Sequence, residues 1–186
     1  MADTYSNFAQ LAAAEQEGTA WRRAAVAPAG ATWAATAIHG GGIEGGSGEM
    51  AREISLGGSA MAYYEFAGLK ASNNTTLHIT STRFDEPMGQ SLVAGVRRCL
   101  SFHGYVGTDG VPETAIGGLD ADVVARLTDS LTRAGFLVTT APSEIAGRWA
   151  QTRSRRAVAI SSHSPPVLPT RTTAIWPASS SRPRRR

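Results

Sequence analysis

The stretch Ala34-Ala-Thr-Ala-Ile-His-Gly-Gly-Gly-Ile-Glu44 decides how this sequence is read. Ala34 to Ile38 is a short apolar run that ends at His39, and Gly40, Gly41 and Gly42 stop it at once, the pattern of a strand entering a loop. A second stretch, Cys99-Leu-Ser-Phe-His-Gly104, repeats the arrangement with His103 at the strand end and glycine after it. In open α/β sheets ligands bind outside the carboxyl ends of the strands, so the two rings converge if their strands are neighbours. Glu44 follows His39 by five residues, across a loop flexible enough to fold its carboxylate back toward the imidazole. Two imidazoles and one carboxylate are the usual protein ligands of a catalytic zinc, with the fourth position left open. Zinc held there brings the pKa of water toward about 7 and polarises a carbonyl. The same residues also fit two capped surface histidines beside ordinary turns.

Glycine-rich loops after a strand also cradle phosphates, and that use is weaker here. Gly40, Gly42 and Gly45 match the Gly-x-Gly-x-x-Gly spacing, and Glu65 stands about 20 residues on, where a ribose-binding acid belongs. No Gly-Lys-Ser/Thr follows, and glycine is abundant enough, at 20 residues, to produce the spacing by accident.

Outward from these two stretches the chain alternates strands and helices. Glu49–Ile54 is expected as a helix, Ala62–Phe66 and Leu77–Thr82 as strands, and Pro87 as the opening of a helix with Leu92, Val93 and Val96 on one face. Asp120 is a good N-cap for a helix whose Val123, Val124, Leu127 and Leu131 form one core-facing stripe. Gly135 is a good stop before a strand at Phe136–Thr139. The alternation predicts an α/β fold: a single-domain mixed sheet with flanking helices. His78, in the middle of the Leu77–Thr82 run, reads as a hydrogen-bonded core or surface histidine, and Cys99 as a buried inert thiol.

Composition sets the limits. The chain has 186 residues, 42% of them hydrophobic and only 18% charged, which is enough to bury a core and unlike a coiled coil. A single cysteine excludes a disulfide scaffold. No apolar run approaches the roughly 18 residues of a membrane span, and the first ten residues lack a basic segment followed by an apolar one, so cytoplasmic synthesis without a secretory signal is expected. Charge is segregated. Residues 1–147 hold all 15 acidic and nine basic side chains, net −6, whereas residues 148–186 hold nine arginines and no acid, net +9.

Five ordered motifs carry a resemblance over about residues 1–145: His39-Gly-Gly-Gly-Ile-Glu44, Gly68-Leu-Lys-Ala-Ser-Asn-Asn74, His78-Ile-Thr-Ser-Thr-Arg-Phe-Asp-Glu-Pro87, Ser101-Phe-His-Gly-Tyr105 and Gly117-Gly-Leu-Asp120. Together they resemble the phage-type poly-γ-glutamate hydrolases, small zinc amidohydrolases related in fold to metallocarboxypeptidases. The resemblance implies zinc as cofactor and His39, Glu44 and His103 as its ligands, the trio the spacing also selects. It implies a γ-glutamyl polymer as substrate, and release by phage lysis as a route to it. Arg83, with its rigid fork of donors, is a candidate for a substrate carboxylate, or else pairs with Asp85 or Glu86. Asn73 and Asn74 are candidates for the same anion, or else form a turn. A monomer is expected, with no membrane partner.

The resemblance breaks near Arg148. Family members continue into a Gln-Leu-Glu-Leu-like strand whose glutamate is the expected general base, and this chain has no carboxylate after Glu144. Residues 148–186 read instead as a basic Ser/Pro/Arg-rich tail, too polar to order by burying apolar surface. Loss of acids with gain of arginine, serine and proline is what wrong-frame translation of GC-rich coding DNA produces, so a frameshift near codon 148 is expected. The domain at 1–147 is then C-terminally incomplete, with an exposed sheet edge and impaired turnover, unless another carboxylate such as Glu113 serves as base. Two alternatives stand beside the hydrolase: a non-catalytic binder of zinc and acidic polymer, and nucleic-acid association through the arginine-rich tail.

Overall fold

The structure, a computed structural model, describes residues 3–57, 60–141 and 157–163, without the side chains of Ala157 and His163. Seven strands form one mixed sheet: β1 (Trp21–Val26), β2 (Trp33–Gly41), β3 (Met61–Gly68), β4 (Arg98–Gly104), β5 (Glu113–Gly118), β6 (Leu137–Thr140) and β7 (Ala157–His163). Their spatial order is β1-β3-β2-β4-β7-β5-β6. The central four, β3, β2, β4 and β7, run parallel, while β1 pairs antiparallel with β3, and β5 antiparallel with β7. This is the mixed α/β architecture the alternation predicts.

Helices α1 (Phe8–Ala14), α2 (Ser47–Leu56), α3 (Pro87–Ala94) and α4 (Ala121–Arg133) cover the two faces. One face carries Leu11, Trp21, Ala34, Ile38, Tyr64, Phe66, Leu77, Ile79, Phe84, Val93 and Cys99 as a continuous core. The other carries Ala35, Ala37, Ala51, Leu100, Phe102, Ile116, Val158 and Ile160, with Val123, Val124, Leu127 and Leu131 of α4 packed only partly buried against it. Asp120 caps α4 as predicted, its carboxylate accepting from Val123 N–H, and Gly135 follows at φ +89°, the left-handed stop that glycine provides most readily. Cys99 is fully buried, and burial pushes its thiol up to about 12, as an inert core cysteine requires.

Three expectations change. Residues 77–82 are not a strand: a 3₁₀ turn at Asn74–Leu77 leads into a loop closed by Arg83 N–H to Thr80 O at 2.7 Å. β1 and β5 escape the sequence reading because their arginines and glycines dilute the alternation. Most consequential, part of the segment assigned to a disordered tail is β7. Val158, Ala159, Ile160 and Ser161 are all buried, inserted between β4 and β5. A central strand buried on both faces needs only a short apolar run, and Ala157-Val-Ala-Ile160 supplies one. The edge of β4 is therefore covered. The predicted boundary at 147 and the remainder of the tail lie outside the described residues.

Candidate metal centre

Strict alternation along β2 would separate the two strand-end histidines. Ala34 and Ile38 face the first core together with Cys99, from which Ser101 and His103 follow on the same side of β4. By parity His39 belongs on the opposite face. The register of β2 with β3 slips between Ala37 and Gly40, one extra residue on β2 forming a bulge. A bulge re-aims the side chain that follows it. His39 thereby turns to the first face, where its ring meets the edge of Phe84 at 6.3 Å and Nε2–H donates to Ile79 O at 2.9 Å. β2 and β4 are adjacent, and the two rings lie 5.3 Å apart between centroids.

The glycine loop then returns Glu44 to them. Gly41 takes φ +61°, Glu44 N–H bonds back to His39 O at 2.9 Å, and Ser47 Oγ ties both carbonyls together from the start of α2. A side chain on Gly40 would strike Glu65 at 2.7 Å, so this glycine is present for close packing. Glu65 itself is buried against Arg22 at 2.8 Å and does not offer itself to a ribose. The loop serves a carboxylate placement and not a phosphate cradle.

Glu44 ends among three imidazoles. Its Oε1 lies 2.9 Å from His39 Nδ1 and 3.9 Å from His78 Nε2, and its Oε2 lies 3.1 Å from His103 Nδ1 while accepting from Gly104 N–H at 3.1 Å. His78 is the residue that sequence reasoning assigned elsewhere. Its ring stacks at 4.2 Å, tilted, on that of His39, and one ligand atom each from His39, Glu44 and His78 lie within 4.8 Å of one another. The one signal in the sequence was the place of His78 at the head of the third quoted motif; the β-like residues around it pointed to a strand.

The tautomers are set by the partners. Ile79 O only accepts, so His39 carries its proton on Nε2 and, when neutral, turns a lone pair on Nδ1 toward a carboxylate oxygen. That Nδ1 is buried, and although it is close to Glu44 the approach is not a hydrogen bond. Two lone pairs facing each other at 2.9 Å call for a positive charge between them, a proton or a metal ion. Burial works against charge on both groups. The carboxylate of Glu44 nevertheless outweighs it and raises the His39 pKa, and the His39 charge with the His103 and His39 contacts outweighs it for Glu44, whose pKa falls well below the usual carboxylate range. Ser101 Oγ, 3.0 Å from His103 Nε2, can donate or accept, so His103 can present either a lone pair or a proton at Nδ1. An imidazole whose far nitrogen bonds a backbone carbonyl, and a set of nitrogen and carboxylate donors, are what zinc takes. The donor set fits that ion.

Of the substrate candidates, Arg83 reaches the centre through Asp3, which also bonds His78, and the two asparagines stand at the turn before His78. Asn74 is buried and engaged at both ends of its amide, accepting from Lys70 N–H at 2.9 Å and donating to Lys70 O at 2.7 Å. Asn73 adopts φ 60° at the start of the 3₁₀ turn, so both asparagines shape the turn. Arg83 pairs with neither Asp85 nor Glu86: one guanidinium nitrogen donates to Asp3 Oδ2 at 2.6 Å. Glu113 begins β5 and accepts from Thr108 N–H. A cleft of about 820 Å³ opens over Glu44 and His78, lined also by Ile43, Glu49, Met50, Tyr105 and Val106.

A mixed sheet whose parallel strands end in a shared histidine and carboxylate cluster defines an α/β protein with a candidate cation centre at the strand ends. The chain belongs to the poly-gamma-glutamate hydrolase family, whose sequence pattern matches residues 5–158. Among its relatives, the YndL protein of Bacillus subtilis is 39% identical over 134 residues, 72% of this chain and 50% of YndL. The SPbeta prophage-derived protein YoqZ of Bacillus subtilis is 41% identical over 135 residues, 73% of this chain and 47% of that protein. The chain thus spans about half the length of these relatives. Among solved structures, a bacteriophage poly-gamma-glutamate hydrolase superposes with a TM-score of 0.79 at 28% identity, covering 87% of this chain and 79% of the other. Zinc-free YndL gives 0.77 at 32% identity, covering 87% and 80%.

Proposed function

We propose that this chain is a zinc-dependent hydrolase of γ-glutamyl amide bonds in poly-γ-glutamate, with turnover held down by the residue that β7 places beside the centre. The observation that carries the reading is the convergence of His39, His78 and His103 on Glu44, with the buried Nδ1 of His39 facing a carboxylate without a hydrogen bond. Family membership and the structural likeness to a phage poly-gamma-glutamate hydrolase support the substrate class. His39, Glu44 and His103 would hold the ion, and zinc when bound acts as a Lewis acid on an amide carbonyl and makes water acidic near neutral pH.

The chain's own residues do the rest. Glu44 balances the charge, and Gly104 N–H fixes its second oxygen. The sheet wall beside His103 is β7, where Ser161 stands in register with it. A buried hydroxyl is no base at neutral pH. A positioned proton acceptor typically contributes 10² to 10⁴-fold, so weak hydrolysis is the expected behaviour. The same observation favours a second reading, a binder of zinc and acidic polymer without turnover.

Metal analysis of the purified chain and of His103→Ala, with poly-γ-glutamate chain length followed with and without a chelator, tests both. About one zinc per chain, lost in the variant, together with slow chelator-sensitive shortening supports the hydrolase. Zinc and polymer binding without shortening supports the binder. Shortening that a chelator leaves unchanged removes the metal from either account.

A further inference from the structure

Of the three imidazoles around Glu44, those of His39 and His103 are sealed in the core, with side chains 1% and 4% exposed, whereas that of His78 is 27% exposed and lines the cleft. Asp3, itself 1% exposed although it stands close to the N-terminus, holds this ring from behind. Its Oδ1 lies 2.9 Å from His78 Nδ1, and its Oδ2 accepts from Thr80 N–H at 2.7 Å and from the Arg83 guanidinium at 2.6 Å. A carboxylate accepts and does not donate, so the His78 proton sits on Nδ1 and the ring turns a lone pair outward from Nε2. Nε2 is 3.9 Å from Glu44 Oε1, and neither atom can donate to the other. Two acceptors at that separation suit one water molecule about 2.8 Å from each, giving an O–H to both.

We propose that His78 is the hydrogen-bond acceptor that orients the attacking water in this centre, that Asp3 is the positioning residue that keeps Nε2 an acceptor, and that neither is a ligand of the ion. This rests on the zinc reading above, in which His39, Glu44 and His103 are the three protein ligands and the fourth position stays open to the cleft. A water molecule that gives one O–H to a fixed acceptor keeps a lone pair aimed at an amide carbonyl, and orientation of this kind aids attack without any transfer of the proton to the ring. The exposed edge of His78 is placed for that, because it faces the cleft beside Glu44 while the other two rings face inward. Asp3 makes the acceptor permanent from a position 75 residues away in sequence, and so ties the segment before α1 to the chemistry of the centre.

The ¹⁵N shifts of the His78 ring in the zinc-free wild-type chain, recorded above the imidazole titration range, give the first measurement. The proton is expected on Nδ1; a proton on Nε2 overturns the proposal without any variant. Calorimetric binding of two small ligands to the zinc-loaded chain gives the second, since acetohydroxamate brings an N–H donor into the open position and azide brings none. His78→Ala is expected to weaken acetohydroxamate about fivefold, the worth of one hydrogen bond, and to leave azide within about twofold. In Asp3→Asn, Thr80 N–H and Arg83 both need the amide oxygen, so the amide nitrogen donates to Nδ1 and the His78 proton moves to Nε2. Acetohydroxamate should then weaken and azide tighten, opposite signs that a merely loosened loop does not produce. If the two ligands move together in both variants, or neither moves, the role of His78 is refuted and the zinc centre stands. Chelator competition gives the third measurement. A support behind a metal-bound histidine costs about 10–100-fold in affinity when lost, whereas zinc is expected to stay within about threefold of wild type in both variants. A loss in His78→Ala as large as that in His39→Ala would make His78 a ligand and overturn the proposal. If the wild-type chain takes up no zinc, the zinc reading itself fails, and the role of His78 with it.

Discussion

At the scale of single residues, the histidines differ in how they reach the centre. His39 arrives through a bulge, His103 through plain alternation, and His78 through a carboxylate near the other end of the chain. Ser161 is the residue to change. It is fully buried, its Oγ has no hydrogen-bond partner among the described residues, and its backbone is in register with His103 on the same side of the sheet. Ser161→Glu places a carboxylate there, and hydrolysis of poly-γ-glutamate by the zinc-loaded variant should rise about tenfold or more over wild type. Rates are compared per folded, zinc-containing chain. An unchanged rate at equal zinc content would show that a missing base is not what limits turnover. His39, Glu44 and His103 were legible because a strand end followed by glycine is a local pattern. His78 was not, since Leu77, Ile79 and Thr80 have β-forming side chains and the contact that bends them into a loop comes from Asp3.

At the scale of elements, the start of α3 is a junction held by one buried carboxylate. Glu86 is fully buried and accepts from Tyr64 OH at 2.6 Å, Arg23 Nη1 at 2.7 Å, Gly89 N–H at 2.7 Å and Met88 N–H at 3.0 Å. It thus caps α3 and joins it to β1 and β3. Burial alone would raise its pKa, but the Tyr64, Gly89, Arg23 and Met88 donors together lower it. A carboxylate with a lowered folded pKa adds stability that is fully present above its unfolded value near 4.3 and disappears as pH falls through the folded one. Glu86→Gln should therefore be less stable than wild type by about 3 kcal/mol at neutral pH, with the difference shrinking below about pH 4. Urea unfolding at both pH values measures this. A gap of constant size would mean that the charge of Glu86 is not what matters. The helix itself was readable from Pro87, whereas a cap drawing on three separate elements was not.

At the scale of the whole molecule, β7 is what makes one sheet of two pieces. β1, β3, β2 and β4 form one block and β5 with β6 another, and within the sheet β7 lies between β4 and β5 and pairs with both. Ala159 pairs with Ser101 on one side and Gly117 on the other. Proline there removes a ladder donor from a central strand, so Ala159→Pro should lose about 3 kcal/mol or more, or fail to fold. Unfolding followed by tryptophan emission reads the result, and an unshifted midpoint would show that the sheet does not depend on β7. The fold class was legible because strand and helix periods alternate over residues 33–140. The seam was not, because seven residues of apolar and serine character are surrounded by arginine, serine and proline, and composition over a long window hides a short buried strand.

The position of that seam also constrains how the protein is made. β4 leaves the ribosome more than 50 residues before its neighbour β7 does, and β5 about 40 before it. Until then a nascent chain presents two bare sheet edges at once, each a template for pairing with another copy. Synthesis of this protein should accordingly depend on chaperone protection late in translation, at a stage when the histidines and the glutamate of its centre have long since emerged.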